Sequence, residues 1–132
     1  MTGALFMVTF VVPDMDKAIA HYTRDWGFAL EQDSHHASGH RWVVVDPGGG
    51  AKLRLVEARS DVDRAAIGNQ AGTNVAFFLR IADFHRTIDR WSKTPIKLLE
   101  APRDEAYGRV AVVADAFGNR WDVFDEAYES NA

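Results

Sequence analysis

The sequence predicts an α+β fold in which a βαβββ module occurs twice within one chain. Segments rich in β-branched and aromatic residues, typical of strands, alternate with two stretches whose apolar residues have helical spacing. The same order of elements appears in each half, and both halves close on similar hairpins. With 132 residues, 47% hydrophobic and 26% charged, the chain has the length and composition of one globular domain.

The first module begins with a strand over residues 5–12, LFMVTFVV. A helix then starts at Asp14 and ends at Gly27, a residue type suited to a helix C-terminus. The apolar positions of this helix are Ala18, Ile19, Tyr22 and Trp26. The polar stretch EQDSHHASGH follows as a loop or a strand edge, and an additional strand over 28–33 is the alternative.

Two further strands, RWVVVD and KLRLVE, complete this module around the glycine-rich connection PGGGA. A short helix capped by Ser60, with Asp63 three residues later, serves as a linker and ends near Gly68. The second module repeats the order with a strand over 74–80, a helix over 83–93 and strands over 96–100, 109–114 and 119–125. We place module 1 at about 4–58, the linker at about 59–72, module 2 at about 73–126 and a tail at 127–132, all within a single domain of residues 1–132.

The repeat can be followed residue by residue in the two closing hairpins. RWVVVDPGGGAKLRLVEA and RVAVVADAFGNRWDVFDEA both open on arginine, run through valines into a glycine-containing turn, and close on Glu-Ala. Arg41 matches Arg109 and Arg54 matches Asp122, and in both pairs the second residue lies 68 positions after the first (109 − 41 and 122 − 54). Two copies of such a length indicate a duplicated module, with chance similarity between two hairpins as the alternative.

Composition and charge exclude several classes of function. A net charge of −4, with basic residues scattered along the chain, argues against a nucleic-acid partner. Because the chain has no cysteine, disulfides, thiolate metal sites and cysteine nucleophiles are excluded. The apolar start ALFMVTFVV has no basic region before it and stops at Pro13, far short of a membrane span. We therefore expect a cytoplasmic protein with no membrane partner.

Two segments resemble the vicinal oxygen chelate superfamily, which includes glyoxalase I, the extradiol dioxygenases and the fosfomycin and bleomycin resistance proteins. VTFVVPDMDKAIAHYTRDWGFAL is similar to that family's strand, Asp-led helix and Gly-Phe exit, and VAVVADAFGNRWDVFD to its closing hairpin. The resemblance covers nearly the whole chain. It implies two modules whose strands form a curled mixed sheet around a ligand cleft, with the helices on the outer face, and it also implies a homodimer.

The family's enzymes hold a divalent metal with His, Gln or Glu from the first and last strand of each module. Matched onto this sequence, the first-strand positions fall on Met7 and Asn74 and the last-strand positions on Arg54 and Asp122. A guanidinium would repel a divalent cation, and Asn74 with Asp122 leaves too few ligands. The loop histidines His35, His36 and His40 have no known metal-ligand spacing, so we expect no metal and no other cofactor. His21 and His85 are predicted to lie on the polar faces of their helices.

The alternation of side chains in the last strand bears on the role of its carboxylate. Successive side chains of a strand point to opposite faces of the sheet, so Trp121 and Val123 lie on one face and Asp122 and Phe124 on the other. Asp122 therefore faces the cleft if the helices cover Trp121. A solvated edge-strand carboxylate is the alternative. The same alternation sends Leu53 and Leu55 to the helix side and Arg54 to the cleft.

The predicted function is metal-independent binding of a small molecule. Aromatic residues near the cleft strands, together with arginines, suit a planar or amphipathic organic anion. A glyoxalase-like lyase, or an isomerase or epimerase with Asp122 as general base, is the alternative, and a dimeric module with a vestigial cleft is a third possibility. The predicted ligand-binding residues are Met7, Trp42, Arg54, Asn74, Phe78, Tyr107, Arg109, Asp122 and Phe124.

Overall fold

The computed structural model describes residues 2–106 and 108–126, and the chain divides into two compact units between Ile67 and Gly68. Unit 1 is residues 2–67, and unit 2 is the described part of the chain from residue 68 onward. Each unit contains a mixed sheet of four strands. The predicted α+β fold with two βαβββ modules is therefore confirmed.

Unit 1 contains the first four strands and two of the helices. Its elements are β1 (Met7–Val12), α1 (Met15–Ala20), β2 (Ala29–His35), β3 (Arg41–Asp46), β4 (Lys52–Glu57) and α2 (Asp61–Ala66). The strand order is β1-β4-β3-β2, in which β1 and β4 are parallel and the other pairs antiparallel. The parallel pair needs a crossover connection, which α1 begins.

Helix α1 starts as the sequence predicts and then changes its hydrogen-bond pattern. The Asp14 carboxylate caps it by accepting from the Lys17 amide at 2.9 Å. A π-helical turn, His21–Asp25, continues the helix, and the Trp26 amide donates to the His21 carbonyl five residues earlier. Gly27 then reverses the chain with a φ of +80°, which a residue without a Cβ adopts at low cost.

The core of unit 1 lies between α1, its π-helical turn and the sheet. Phe10 of β1 meets Tyr22 edge to face with ring centroids 5.3 Å apart, and Tyr22 stacks on Phe28 at 6.2 Å. His21 lies in the same layer and is only 5% exposed, so its predicted place on the polar face is wrong. Its Nδ1 bonds the Asp25 carboxylate at 2.7 Å, and its Nε2 accepts from the Trp26 indole at 3.0 Å. These two bonds let the ring lie in the core.

Helix α2, predicted as a linker, lies within unit 1 against β1. The Ser60 hydroxyl accepts from the Asp63 amide at 3.1 Å, so the predicted cap is confirmed. The Asp63 carboxylate in turn accepts from the Arg59 amide at 3.0 Å.

Unit 2 repeats the arrangement with one described helix. Its elements are β5 (Phe77–Ile81), α3 (Phe84–Trp91), β6 (Lys97–Glu105), β7 (Gly108–Ala114) and β8 (Arg120–Asp125). The strand order is β5-β8-β7-β6, again with one parallel pair, β5 and β8. Helix α3 buries Phe84, Thr87 and Trp91.

The turn between β7 and β8 is built on a buried polar network. The Asp115 carboxylate accepts from the Asn119 amide nitrogen, the Asn119 side chain and the Trp121 indole, at 3.0, 3.0 and 3.1 Å. The Asn119 side-chain oxygen accepts from the Gly68 amide at 3.0 Å. A Cβ on Gly68 would lie 3.2 Å from the Phe117 carbonyl oxygen, at a φ of +76°. The network therefore ties the first residue of unit 2 to its closing hairpin.

Strand register confirms the internal repeat. Val44 of β3 pairs with Arg54 of β4, and Val112 of β7 pairs with Asp122 of β8, both at the predicted 68-residue offset. Two edge strands, in contrast, are longer than predicted. The structure has β2 over Ala29–His35 in place of a loop or a short strand, and β6 extends to Glu105 in place of residue 100. Within residues 2–106 and 108–126, no helix is both long enough and apolar enough to span a membrane.

Candidate ligand-binding faces

Each sheet has one face packed against a helix of its own unit, α1 in unit 1 and α3 in unit 2. We call the other face of each sheet, which points away from that helix, the distal face. In unit 1, Arg41 of β3 reaches Asp16 of α1, and Glu57 of β4 accepts from the Met15 amide at the start of α1. In unit 2, Val113 lies beside Ile88 and Trp91 of α3. Because side chains alternate along a strand, these contacts assign every neighbouring position to a face.

Arg54 lies on the distal face of unit 1, in a row that crosses all four strands. Its backbone neighbours are Thr9 on β1 and Val44 on β3, and Val44 pairs in turn with Gln32 on β2. Leu53 and Leu55, on either side of Arg54 in β4, are buried on the α1 side. The predicted alternation in this strand is therefore correct.

Trp42 and Arg54 form a single assembly on this face. The Arg54 guanidinium carbon lies 4.7 Å from the Trp42 ring centroid, a cation–π contact. The Trp42 indole donates to Gln32 Oε1 at 2.7 Å, which fixes the ring. Arg54 Nη1 donates to the Thr9 hydroxyl at 3.4 Å, a long bond, and makes no other hydrogen bond to a residue in the described part of the chain. Most of its five N–H donors therefore remain available.

Met7 begins β1 on the same distal face, where it pairs with Lys52. Lys52 is held by Glu31 of β2, with Nζ 2.6 Å from a carboxylate oxygen, and this hydrogen bond raises the pKa of the Lys52 ammonium. Met7 is half-buried. It contributes an apolar surface at one end of the row of strands.

Asp122 occupies the equivalent row on the distal face of unit 2. It pairs with Phe78 on β5 and Val112 on β7, and Val112 pairs with Glu100 on β6. Trp121 and Val123, its neighbours in β8, are buried on the α3 side. Phe124 follows in the next row, and its ring lies nearly parallel to that of Phe78, with centroids 6.2 Å apart and an interplanar angle of 12°.

The electrostatic environment of Asp122 differs from that of the other acidic residues on this face. It is half-buried, and no described residue of its own unit donates a hydrogen bond to it. Burial raises the pKa of the Asp122 carboxyl above its usual value, the Arg103 guanidinium lowers it, and the Glu100 carboxylate raises it further. The ionised carboxylate thus lacks a full local counter-charge.

Arg109 does not lie with these residues. It shares the α3 side of its sheet with Ala111 and Val113, where its guanidinium contacts His85 of α3 and its Nε donates to Asp104 at 2.8 Å. Its repeat equivalent, Arg41, is held in the same manner by Asp16 and Asp33. The expectation that Arg109 lines a ligand site is therefore not met, since its position belongs to a helix-to-sheet contact.

Asn74 lies in a turn before β5 and not on the strand. It is exposed, and its amide and side-chain nitrogens both donate to the Ala71 carbonyl at 3.3 Å. The amide of Ala76 donates to the Arg120 carbonyl at the point where the parallel pairing of β5 and β8 begins. By register, Ala76 is thus the counterpart of Met7, and the match of Met7 with Asn74 was wrong. Tyr107, another predicted ligand-binding residue, lies outside the described residues.

The donor groups at the four matched positions do not fit the divalent metal that the resemblance would imply. Met7 offers a thioether, Arg54 a cation with no acceptor, and Ala76 no donor atom, which leaves Asp122 alone. In the parts of the chain that the structure describes, there is no group of three or more His, Asp or Glu side chains arranged to hold a metal ion.

Sequence reasoning missed the residues that support this assembly. Thr9 bonds Arg54 and Gln32 bonds Trp42, yet Gln32 lies in the polar stretch predicted as a loop or strand edge. A signal for Thr9 did exist, because it is the one polar residue among the apolar residues of β1. No comparable signal existed for Gln32, since its neighbours are polar on both sides.

Comparison with known proteins gives a family and a fold. A model of the Glyoxalase/Bleomycin resistance protein/Dioxygenase superfamily matches residues 4–123. An uncharacterized protein of Shewanella frigidimarina (strain NCIMB 400) is 39% identical over 126 residues, 93% of each chain.

Among solved structures, UcmS2 superimposes with a TM-score of 0.79 at 24% identity, over 94% of this chain and 98% of its own. TnmS3, an antibiotic binding protein from Streptomyces sp. CB03234, gives a TM-score of 0.73 at 23% identity over 95% and 98%. FosX, a fosfomycin resistance protein from Listeria monocytogenes, gives 0.71 at 16% identity over 99% and 97%. At these identities the three structures are similar to this chain in fold.

Proposed function

Because this chain belongs to the glyoxalase/bleomycin resistance protein/dioxygenase superfamily, we propose that it is a metal-independent binding protein for a small organic molecule. The names of two structural neighbours support this function, since one is an antibiotic binding protein and another a fosfomycin resistance protein. The side chains of the distal faces, charged and aromatic together, support it from the chemistry of the chain itself.

One observation carries the proposal: the Arg54 guanidinium lies over the Trp42 ring at 4.7 Å, and most of its N–H donors make no hydrogen bond to a described residue. Stacking on the ring fixes the plane of the guanidinium, and the paired N–H groups of a guanidinium match the two oxygens of a carboxylate. The indole beside it supplies apolar area for an aromatic ring. The ligand class that fits this face of unit 1 is a planar aromatic carboxylate.

The test is calorimetric titration of the purified protein with 2-naphthoate, compared with Arg54→Lys and Trp42→Leu. We expect each substitution to weaken binding about tenfold, because lysine keeps the charge but loses the fork and leucine removes the ring. The matched control is Arg41→Lys, which changes the same residue type on the α1 side of the same sheet. Equal binding by the Arg54→Lys variant and the wild type, or an equal loss in Arg41→Lys, would refute the proposal.

Metal independence has its own measurement. Three of the four positions that would hold the metal carry a thioether, a guanidinium and an alanine methyl group, and only the fourth carries a carboxylate. Elemental analysis of the purified protein should therefore find less than roughly one tenth of an equivalent of zinc, nickel, iron or manganese, the level of adventitious binding. A full equivalent, removable by a chelator with loss of thermal stability, would contradict this part of the proposal.

An isomerase or epimerase is the second candidate, and one observation favours it. Asp122 is a half-buried carboxyl with no hydrogen-bond donor from the described residues of unit 2, and its raised pKa makes its carboxylate a stronger base than an ordinary surface aspartate. Such an enzyme would exchange a carbon-bound proton of its substrate with solvent. Deuterium uptake from D2O into an added carbonyl compound, abolished by Asp122→Asn, would favour this candidate over simple binding.

A further inference from the structure

The distal face of unit 2 carries an aromatic pair beside the half-buried Asp122 carboxylate. Phe78 is 67% exposed, an unusual state for a large apolar side chain on a strand. Its ring lies parallel to that of Phe124, and its backbone pairs directly with Asp122. An apolar surface and a carboxylate are therefore adjacent on two hydrogen-bonded strands.

Most of the other charged side chains on this face have partners, and Lys97 of β6 is an exposed cation. Arg103 of β6 is paired with Glu100 and with Glu105, the latter at 2.7 Å between Nε and Oε1. Arg120 of β8 donates to the Thr73 carbonyl. Arg80 of β5 also has an interaction of its own. Asp122, which interacts with Arg103 only at longer range, has no hydrogen bond or salt bridge to the described residues of unit 2.

We infer that the distal face of unit 2 binds an organic ammonium ion carried on an aromatic ring, with the Asp122 carboxylate as counter-ion and the Phe78 ring as the apolar contact. An ionised carboxylate only accepts hydrogen bonds, and an ammonium group supplies both the donors and the charge. The electron-rich faces of aromatic rings also attract cations. An anionic ligand would meet the charge of Asp122 at close range.

The inference deepens the proposed function and rests on it, because it names the ligand chemistry for the second unit of the same binding protein. It involves a different face, a different residue and a ligand of opposite charge from the test of Arg54. A protein that binds 2-naphthoate through Arg54 and ignores the cation would overturn this inference alone. A protein that binds the cation through Asp122 and ignores 2-naphthoate would overturn the assignment of a carboxylate ligand to unit 1.

The environment of Asp122 also predicts how binding depends on pH. Because burial holds the Asp122 pKa above its usual value, part of the population is protonated at a pH where a free aspartate is fully ionised. A cation binds the ionised form, so its affinity should fall as the pH is lowered through that raised pKa. Besides Asp122, the described residues of unit 2 place these charged groups on this face: Arg80 on β5, Lys97, Glu100, Arg103 and Glu105 on β6, and Arg120 on β8. Strand β7 presents only apolar side chains to it.

The experiment is a titration followed by amide NMR, with 2-naphthylmethylammonium as the probe and 2-naphthylmethanol as its neutral isostere. We expect saturable shifts centred on β5 and β8 for the cation, and at least about tenfold weaker binding of the neutral compound. Asp122→Asn should abolish the preference for the cation, and Phe78→Leu should weaken both probes. Asp125→Asn, on the α3 side of the same strand, should leave binding unchanged.

Three results would overturn the inference. The first is equal affinity for the cation and its neutral isostere. The second is an Asp122→Asn variant that retains the preference for the cation. The third is an Asp125→Asn variant that loses binding as fully as Asp122→Asn does. The amide spectrum reports the fold of each variant in the same experiment, and Phe78→Leu provides a second test if Asp122→Asn does not fold.

Discussion

Arg54 and Asp122 occupy the same position in two copies of one module but carry opposite charges. Each pairs with a valine on one side, Val44 or Val112, at the same register. The guanidinium has a tryptophan ring and a hydroxyl beside it, whereas the carboxylate has only apolar neighbours in its row until Glu100. The duplicated backbone thus presents two different side-chain chemistries, because a side chain on a sheet face can change without altering the strand pairing.

The pH dependence of stability tests the environment of Asp122. A carboxyl whose pKa is raised in the folded state disfavours folding when it is ionised, so this residue should lower stability as the pH rises above the ordinary value of 3.8. Asp122→Asn removes the charge. We therefore expect the variant to be more stable than the wild type at pH 7 and equally stable at a pH well below 3.8. Urea unfolding at both pH values measures this, and a variant less stable at pH 7 would show that the carboxylate is stabilised.

Asn119 is predicted to be the most sensitive polar residue of the closing hairpin. It is 1% exposed and bridges the Gly68 amide and the Asp115 carboxylate. Asn119→Ala leaves the Gly68 amide without its acceptor, so we expect a loss of about 2–3 kcal/mol in the free energy of unfolding. Asn74→Ala, which removes an exposed hydrogen bond of 3.3 Å, should cost less than about 0.5 kcal/mol. Similar losses in the two variants would contradict the role of the network.

At the scale of the elements, prediction succeeded where one face of a strand is buried and failed at the edges. In β4 and β8, apolar and polar residues alternate, and the predicted faces are correct. Strand β2 is exposed at every position, and β6 at nearly every one, so neither has the alternation that burial imposes. Their lengths are fixed by pairing with β3 and β7, which a local pattern does not reveal.

The same physical reason explains the misplaced site residue. Strand β7 has the sequence GRVAVVA, in which nearly every position is apolar. Because apolar and polar residues do not alternate, the sequence gives no indication of the face on which Arg109 lies. Only its contacts with His85 and Asp104 show that it lies on the α3 side. Trp42 and Phe124, in contrast, lie on the distal faces of their sheets as expected.

The π-helical turn is predicted to depend on His21. Its Nε2 must be unprotonated to accept from the Trp26 indole, so the ring is neutral with its proton on Nδ1 toward Asp25. His21→Ala removes both bonds and opens a cavity in the core, and we expect it to cost about 2–4 kcal/mol. The control is His85→Ala on α3, an exposed histidine, for which about 1 kcal/mol or less is expected. Chemical denaturation of both variants compares the two, and a larger loss in His85→Ala would contradict the prediction.

At the scale of the whole molecule, the duplication was visible in the sequence because the closing hairpins kept their length. The 68-residue offset holds for β3 with β7 and for β4 with β8. At the first strands of the two modules the offset is 69 (78 − 9), because Thr9 of β1 corresponds to Phe78 of β5. Thr9 pairs with Arg54, and Phe78 pairs with the equivalent residue Asp122. One residue is thus gained between the copies before β5, and this shift places Ala76 rather than Asn74 at the position of Met7.

A homodimer remains our prediction for the assembly. Each unit ends its sheet on edge strands, β1 and β2 in unit 1 and β5 and β6 in unit 2, and edge strands with exposed apolar side chains are natural pairing surfaces. Leu98 and Leu99 of β6 are about half exposed, at 48% and 52%, and Phe6, just before β1, is 70% exposed. Because two-fold closure is the commonest assembly of soluble proteins, light scattering at micromolar concentration should give twice the chain mass of 14.7 kDa. A mass equal to that of one chain, unchanged on raising the concentration tenfold, would refute the dimer and leave these apolar side chains exposed to solvent.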